Sequence, residues 1–208
     1  MDERHRRSAE RARAEIERGG RAPSFRDDLM AVPALERDAW VDRALGLGEL
    51  PSDGPDLPAG GVPYLPCPVD ALLRVVDRAP VRASDVFVDV GSGVGRATAL
   101  VRLLTGASAV GLEIQHDLVL AARELTSPLS GLSFVEGDAA ELAASIEASV
   151  FFLYCPFGPE RVTKLLAGLE PMARARPLTI ACVDLSLPPR PWLRLDALER
   201  ELAIYRTG

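Results

Sequence analysis

The chain is poor in the residues that usually announce chemistry. Of its 208 residues three are cysteine, two are histidine and one, Lys164, is lysine. Cys67, Cys155 and Cys182 are dispersed and odd in number, with no metal-ligand spacing. That excludes a disulfide framework, leaves no metal site to expect, and fits a reducing compartment. His5 and His116 read as surface residues rather than bases. No apolar run approaches the roughly 20 residues of a membrane span, so no membrane partner is expected. The first twenty residues are dense in charge and lack the apolar stretch of a secretory signal, so the expected location is cytoplasmic. Acidic residues outnumber basic ones, 30 to 24, for a formal net charge of −6. With no basic stripe, nucleic acid is not an expected partner.

What is present is enough apolar material for a full core: 48% of residues are hydrophobic. The length suits one ordinary domain plus an extension. The pattern centres on residues 86–95, Val-Phe-Val-Asp-Val-Gly-Ser-Gly-Val-Gly. Five residues of buried-strand character end in a glycine-rich turn, and a helical pattern follows over 96–104. Glycines let a backbone turn tightly and approach a ligand, and ligands of open α/β sheets sit at the carboxyl ends of strands. After this unit helices and strands alternate. Strands are predicted at 109–113, 132–136, 150–154 and 178–184, and helices at 116–125, 139–146 and 159–172. That rhythm implies a parallel sheet with right-handed crossovers. The last two runs, 192–198 and 202–205, are close enough for a hairpin.

Ahead of the first strand, residues 4–18 read as a helix with little apolar face, expected to be solvated and partly frayed. Pairs such as Arg11 with Glu15 and Arg13 with Glu17 are spaced for helical ion pairs. Ser24 with Asp27 fits a loose capping box, and Pro33 can open a helix over 34–45. Residues 46–63 are rich in Gly, Pro and Asp without periodicity, a linker or a lid. Their carboxylates Glu49, Asp53 and Asp56 would favour a cationic acceptor. The expected division is a helical extension with lid over 1–63 and a ligand-binding domain over 64–208.

The glycines separate two ligand classes. A dinucleotide turn needs a third glycine at position 96, which is Arg96 here, and no Tyr-x-x-x-Lys pair supports an oxidoreductase. Asp89-x-Gly91-Ser92-Gly93-x-Gly95 instead resembles motif I of the class I S-adenosylmethionine (SAM) methyltransferases. SAM has no phosphates but carries a cationic amino-acid tail, which a carboxylate at Asp89 suits. Glu113, at the end of the second strand, can accept from both ribose hydroxyls. The resemblance implies that Asp138, after the third strand, accepts from the adenine amino group, while the Ala139 N–H meets a ring nitrogen. Ile114 either faces the adenine or packs ordinarily. Asp and Glu at such turns also cap helices, but here they stand at the ends of three successive strands.

The fold so implied is a Rossmann-like, doubly wound, mostly parallel seven-stranded sheet with an antiparallel C-terminal strand. After the fourth strand, Tyr154-Cys155-Pro156-Phe157-Gly158-Pro159 is similar at its end to the Phe-Gly-Pro loop of the non-SET histone-lysine methyltransferases, with Tyr154 where those enzymes carry asparagine. The Tyr-x-Pro-x-Pro run at Tyr64 is similar to related bacterial and mitochondrial protein-lysine methyltransferases. Tyr154, Cys155 and Phe157 are the candidates to shape an acceptor channel. Tyr154 either hydrogen-bonds the nucleophile or packs into the core, and Cys155 is not expected to act covalently. The resemblance implies methyl transfer to an amine, on a protein or a small molecule; the alternative is a non-catalytic SAM-binding regulator.

Overall fold

The computed structural model describes residues 1–19, 22–51, 57 and 62–207. Its centre is a seven-stranded sheet in the order β3-β2-β1-β4-β5-β7-β6. The strands are β1 (Val86–Val90), β2 (Ser108–Glu113), β3 (Leu132–Glu136), β4 (Val150–Tyr154), β5 (Thr179–Val183), β6 (Leu193–Glu199) and β7 (Leu202–Thr207). β1 to β5 are mutually parallel, β7 runs antiparallel to β5, and β6 pairs antiparallel with β7. Each of the first four strands is continued by a helix or helical turn: α5 (Arg96–Thr105), α6 (His116–Leu125), α7 (Ala139–Leu142) with a 3-10 turn after it, and α8 (Pro159–Ala175). The order in which strands are added reverses between β1 and β4, leaving the cleft at their carboxyl ends where such sheets take ligands.

The side chains of β4 show why the sheet is buried on both faces. Phe152 points into the layer that holds α4 (Val69–Arg78) and α5, where it stacks on Phe87 at 5.8 Å between centroids. Phe151 and Leu153 point the other way, into the layer built by α8. Residues of period two therefore alternate between two apolar layers, and the strand reads as one continuous apolar run.

The N-terminal helices differ from expectation. α1 (Glu3–Gly19) is not solvated all round: Ala9, Ala12 and Ile16 are buried, and Ser8 Oγ accepts a hydrogen bond of 2.8 Å from the indole of buried Trp40 on α3 (Arg37–Leu45). Small alanines let α1 approach α3 closely without an evident apolar stripe. Phe25, opening α2 (Phe25–Met30), meets the Trp40 ring edge-on at 5.1 Å. The Arg13–Glu17 pair forms at 2.8 Å, whereas Arg11 turns to Asp28 rather than Glu15. Ser24 bonds Asp28, so the capping box with Asp27 does not form. The predicted helix over 34–45 begins as a 3-10 turn, Ala34–Glu36, before α3. The buried residues of α1 to α3 and those of α4, α5, Phe87 and Phe152 belong to one hydrophobic cluster.

Candidate functional site

The glycine turn after β1 is held by backbone. Gly91, Gly93 and Gly95 all take left-handed φ, at 80°, 52° and 75°, which side chains rarely adopt. The Gly91 and Ser92 N–H groups donate to the Leu112 carbonyl at 2.9 and 3.0 Å, so the turn folds over the end of β2. Glu113, 7% exposed, completes the fastening. Its Oε2 accepts from Gly93 N at 2.9 Å, and its Oε1 accepts from Ile114 N and Gln115 N at 2.8 and 2.9 Å. Three backbone donors thus orient the carboxylate at the cleft edge, with lone pairs left for diol hydroxyls.

Asp89 points elsewhere. It is 3% exposed, and its Oδ2 accepts from the Thr98 hydroxyl of α5 at 2.8 Å. Burial pushes its pKa up to about 7, the Thr98 bond works against that, and the Glu113 charge adds to it. Asp138 caps α7, accepting from Ala140 N at 2.9 Å, and forms an ion pair with Arg161 of α8. Partial burial works against the charge of Asp138, but Arg161 and the capping N–H outweigh it and hold the pKa below the usual carboxylate value.

One cleft of about 80 Å³ gathers much of the rest. Gly91, Glu113, Ile114 and Ala139 line its β1–β3 side, and Tyr154, Cys155, Pro156 and Phe157 line the side after β4. Asp89, Ser92, Gly93, Gly95 and Asp138 are not in its lining. Two further lining residues carry functional weight that patterning misses. Arg161 lies over the Phe157 ring, 5.2 Å from its centroid. A basic residue in the first turn of a helix opposes the dipole and is a visible signal that a nearby acid holds it. Tyr64 crosses above the glycine turn so closely that a Cβ on Gly93 would lie 2.0 Å from its Cε2. Burial pushes the Tyr64 phenol up to about 12, Arg96 works against this and Asp89 reinforces it.

Arg96 shows what position 96 does in place of a glycine. It is 3% exposed and opens α5. Its guanidinium bonds Asp42 and Asp38 of α3, the latter at 2.8 Å, and donates to the Cys67 carbonyl at 2.8 Å. Burial opposes its charge, but Asp42 and then Asp38 outweigh that and hold the pKa above the ordinary value. One side chain therefore binds the glycine turn, the N-terminal helices and the segment carrying Tyr64.

On the side of the cleft after β4, Tyr154 is partly buried and its pKa is raised, first by burial and then by Cys67 and Asp184. Cys155 is raised by burial and then by Asp184. Both stay protonated at neutral pH. Neither histidine reaches the cleft: His116 pairs with Glu136 at 2.8 Å, and His5 sits near Asp2 and Glu36. Glu49 is exposed, while Asp53 and Asp56 lie outside the described residues. Among the described residues no cluster could hold a metal ion, and no helix is long and apolar enough to cross a membrane.

The site fits SAM by its own chemistry. A turn with glycine at three of its five positions, an oriented carboxylate at Glu113, the 36% exposed apolar Ile114 and the small Ala139 suit an amino-acid tail, a ribose and an adenine in turn. The family model of histone methylation protein DOT1 matches residues 66–132, from the Tyr64 segment to the start of β3. No curated protein matches the chain by sequence. Among solved structures, an RNA methyltransferase from Salinibacter ruber in complex with S-adenosyl-L-homocysteine is 29% identical over 69% of this chain and 92% of that one, with a TM-score of 0.54. The putative methyltransferase yhhF from Escherichia coli is 14% identical, covering 73% of this chain and 90% of that one, with a TM-score of 0.55. MtNAS in complex with MTA and tNA is 11% identical with a TM-score of 0.51, covering 96% of this chain and 68% of that one. That last likeness in fold extends through the N-terminal helices.

Proposed function

We propose that this chain, a class I SAM-dependent methyltransferase with SAM as its methyl donor, transfers the methyl group to an amine. In this reading Glu113 takes the ribose hydroxyls and the glycine turn meets the amino-acid tail. Ile114 and the Ala139 N–H take the adenine. When bound, SAM supplies a methyl group on a sulfonium, open to in-line attack by a lone pair.

The observation that carries the amine is the protonation state of the cleft. No histidine lines it, Tyr154 and Cys155 hold their protons, and the Glu113 carboxylate is committed to three backbone N–H groups. An alcohol would need a base to remove its proton during attack. An amine needs none: it loses a proton to water beforehand and attacks with its own lone pair. The nitrogen–carbon bond forms, the methyl–sulfur bond breaks and its electron pair stays on sulfur. In this reading Tyr154, which also packs against the core, and Phe157 shape the channel, and the Tyr154 hydroxyl accepts from or donates to the nucleophile.

The test is release of S-adenosyl-L-homocysteine by the full chain with four probes: a lysine peptide, cadaverine, a serine peptide and a short RNA. Turnover confined to the two amines supports the reading. Turnover of the serine peptide or the RNA without the amines overturns it.

A further inference from the structure

The ends of β4 and β5 lie side by side, since Tyr154 is in register with Val183. The next residue on each strand, Cys155 and Asp184, has left-handed backbone, at φ 40° and 52°. Such conformations cost energy in a residue with a side chain and gather at functional sites. The described residues hold one other non-glycine case, Arg200, in the β6–β7 turn. Asp184 is pinned from both sides: Cys155 Sγ donates to its carbonyl at 3.1 Å, and its N–H donates to the Glu201 carbonyl at 2.9 Å.

The pinned backbone holds out an exposed carboxylate that has no hydrogen-bond or ion-pair partner among the described residues. Four other acids near this end of the sheet are engaged, while Glu160 and Asp117, in the first turns of α8 and α6, have no partner among the described residues. Asp89 has Thr98, Glu113 has three N–H groups, Asp138 has Arg161, and Glu201 has Arg74. The charge of Asp184 is felt at Cys67, Tyr154 and Cys155. Asp184 is not itself in the cleft lining but adjoins it through Cys155, which is.

We propose that Asp184 receives the protonated nitrogen end of the acceptor, so that the substrate class is a cationic amine selected by this unpaired carboxylate beside Cys155. The inference rests on the reading that the acceptor is an amine, and it adds the residue that recognises it. Asp184 acts in docking. The ammonium is drawn to it, releases its proton to water and turns its lone pair toward the methyl group. A carboxylate stabilises the charged amine, so its effect falls on acceptor binding rather than on the chemical step.

Asp184→Asn is the decisive variant, because asparagine tolerates left-handed backbone at least as well as aspartate and removes only the charge. Steady-state kinetics of the full chain are measured with cadaverine and with the lysine peptide. The expected result is a KM for the amine raised roughly 10- to 100-fold, with kcat changed less than about threefold. S-adenosyl-L-homocysteine affinity and melting temperature stay as in the wild type. Added salt raises KM in the wild type and hardly at all in Asp184→Asn, and Asp184→Glu recovers part of the affinity. An unchanged KM in a folded Asp184→Asn overturns the inference and leaves the amine reading standing. Parallel loss of cofactor affinity and stability overturns it in favour of a structural role. If the wild type turns over neither amine, the amine reading itself fails and Asp184 falls with it.

Discussion

The two sides of the cleft are built by different means. The side at the ends of β1 and β2, proposed to take the methyl donor, is backbone: three left-handed glycines, the Leu112 carbonyl and a glutamate bound to three N–H groups, all within residues 89–115. The opposite side, proposed to take the acceptor, is assembled from distant stretches: Tyr64 from the N-terminal segment and Tyr154 to Phe157 after β4, with Asp184 after β5 adjoining Cys155 from outside the lining. The join between them is Arg96, which reaches 54 residues back to Asp42 and 58 back to Asp38. A donor site made of local backbone can serve many reactions, while the side chains brought to its rim decide which acceptor enters.

The comparison breaks hardest at Gly93. Gly93→Val puts a β-branched residue at φ 52° and drives its Cβ into the Tyr64 ring. Calorimetry is expected to show no detectable binding of S-adenosyl-L-homocysteine, with circular dichroism confirming the fold. Gly93→Ala combined with Tyr64→Ala removes the clash but keeps the backbone strain, and should recover part of the affinity. Full affinity in folded Gly93→Val would place the cofactor away from the turn.

Arg96→Ala tests the join. It leaves two acids and a carbonyl without their buried partner. A buried pair broken on one side costs about 3–5 kcal/mol. Asp38 and Asp42 keep 51% and 39% side-chain exposure, so water recovers some of this and roughly 2–4 kcal/mol is expected in urea denaturation. A loss below about 0.5 kcal/mol would mean that the apolar cluster alone holds the N-terminal helices, as for an ordinary exposed ion pair.

An effect read against pH rather than in denaturant at one pH comes from Asp89. Its folded pKa of about 7 lies above the ordinary value near 3.9. Between those two values the folded chain holds a proton that the unfolded chain has lost. Stability therefore falls as pH rises from about 4 to about 7, by at most about 1.4 kcal/mol per pH unit, and this group contributes no slope above that window. Asp89→Asn should flatten the curve there. Identical pH profiles for variant and wild type would remove Asp89 from the account.

The mildest change expected is at Tyr64. The cleft holds about 80 Å³, against roughly 300–1,000 Å³ for clefts that take ligands of drug size. The ring on Gly93 must move aside before a cofactor enters, which lowers apparent affinity by the fraction of chains in the open form. Tyr64→Ala is expected to tighten S-adenosyl-L-homocysteine binding about three- to tenfold by calorimetry. Weaker binding would show that the ring packs on the bound cofactor instead.

Much of this was legible before any coordinates. β1, β3 and β4 lie where their apolar runs predict, and the hairpin of β6 and β7 follows from two short runs three residues apart. Glycine spacing and Glu113 marked the β1–β2 side of the cleft, because those features are local and recur with the strand–turn–helix unit; Asp89 and Asp138 stand outside its lining. Other features were hidden. The buried face of α1 is mainly alanine, which carries no hydrophobic contrast. Asp138 gave no sign that Arg161, 23 residues on, would hold it. Nothing in Tyr64 alone says that it lies on Gly93.

By itself, then, the sequence determined the alternation of elements, the seven-stranded sheet and the glycine turn at the end of β1. Period-two and period-3.6 patterns and positive-φ glycines are properties of neighbouring residues, so they survive without a third dimension. Tertiary structure alone decided that α1 to α3 share the core of the sheet, that Arg96 ties them to the turn, and that Tyr64 covers it. It also decided that Asp184 stands free beside Cys155. These facts depend on which distant chains meet and on which charges find partners there, and a charge has no partner until the fold brings one within hydrogen-bonding reach.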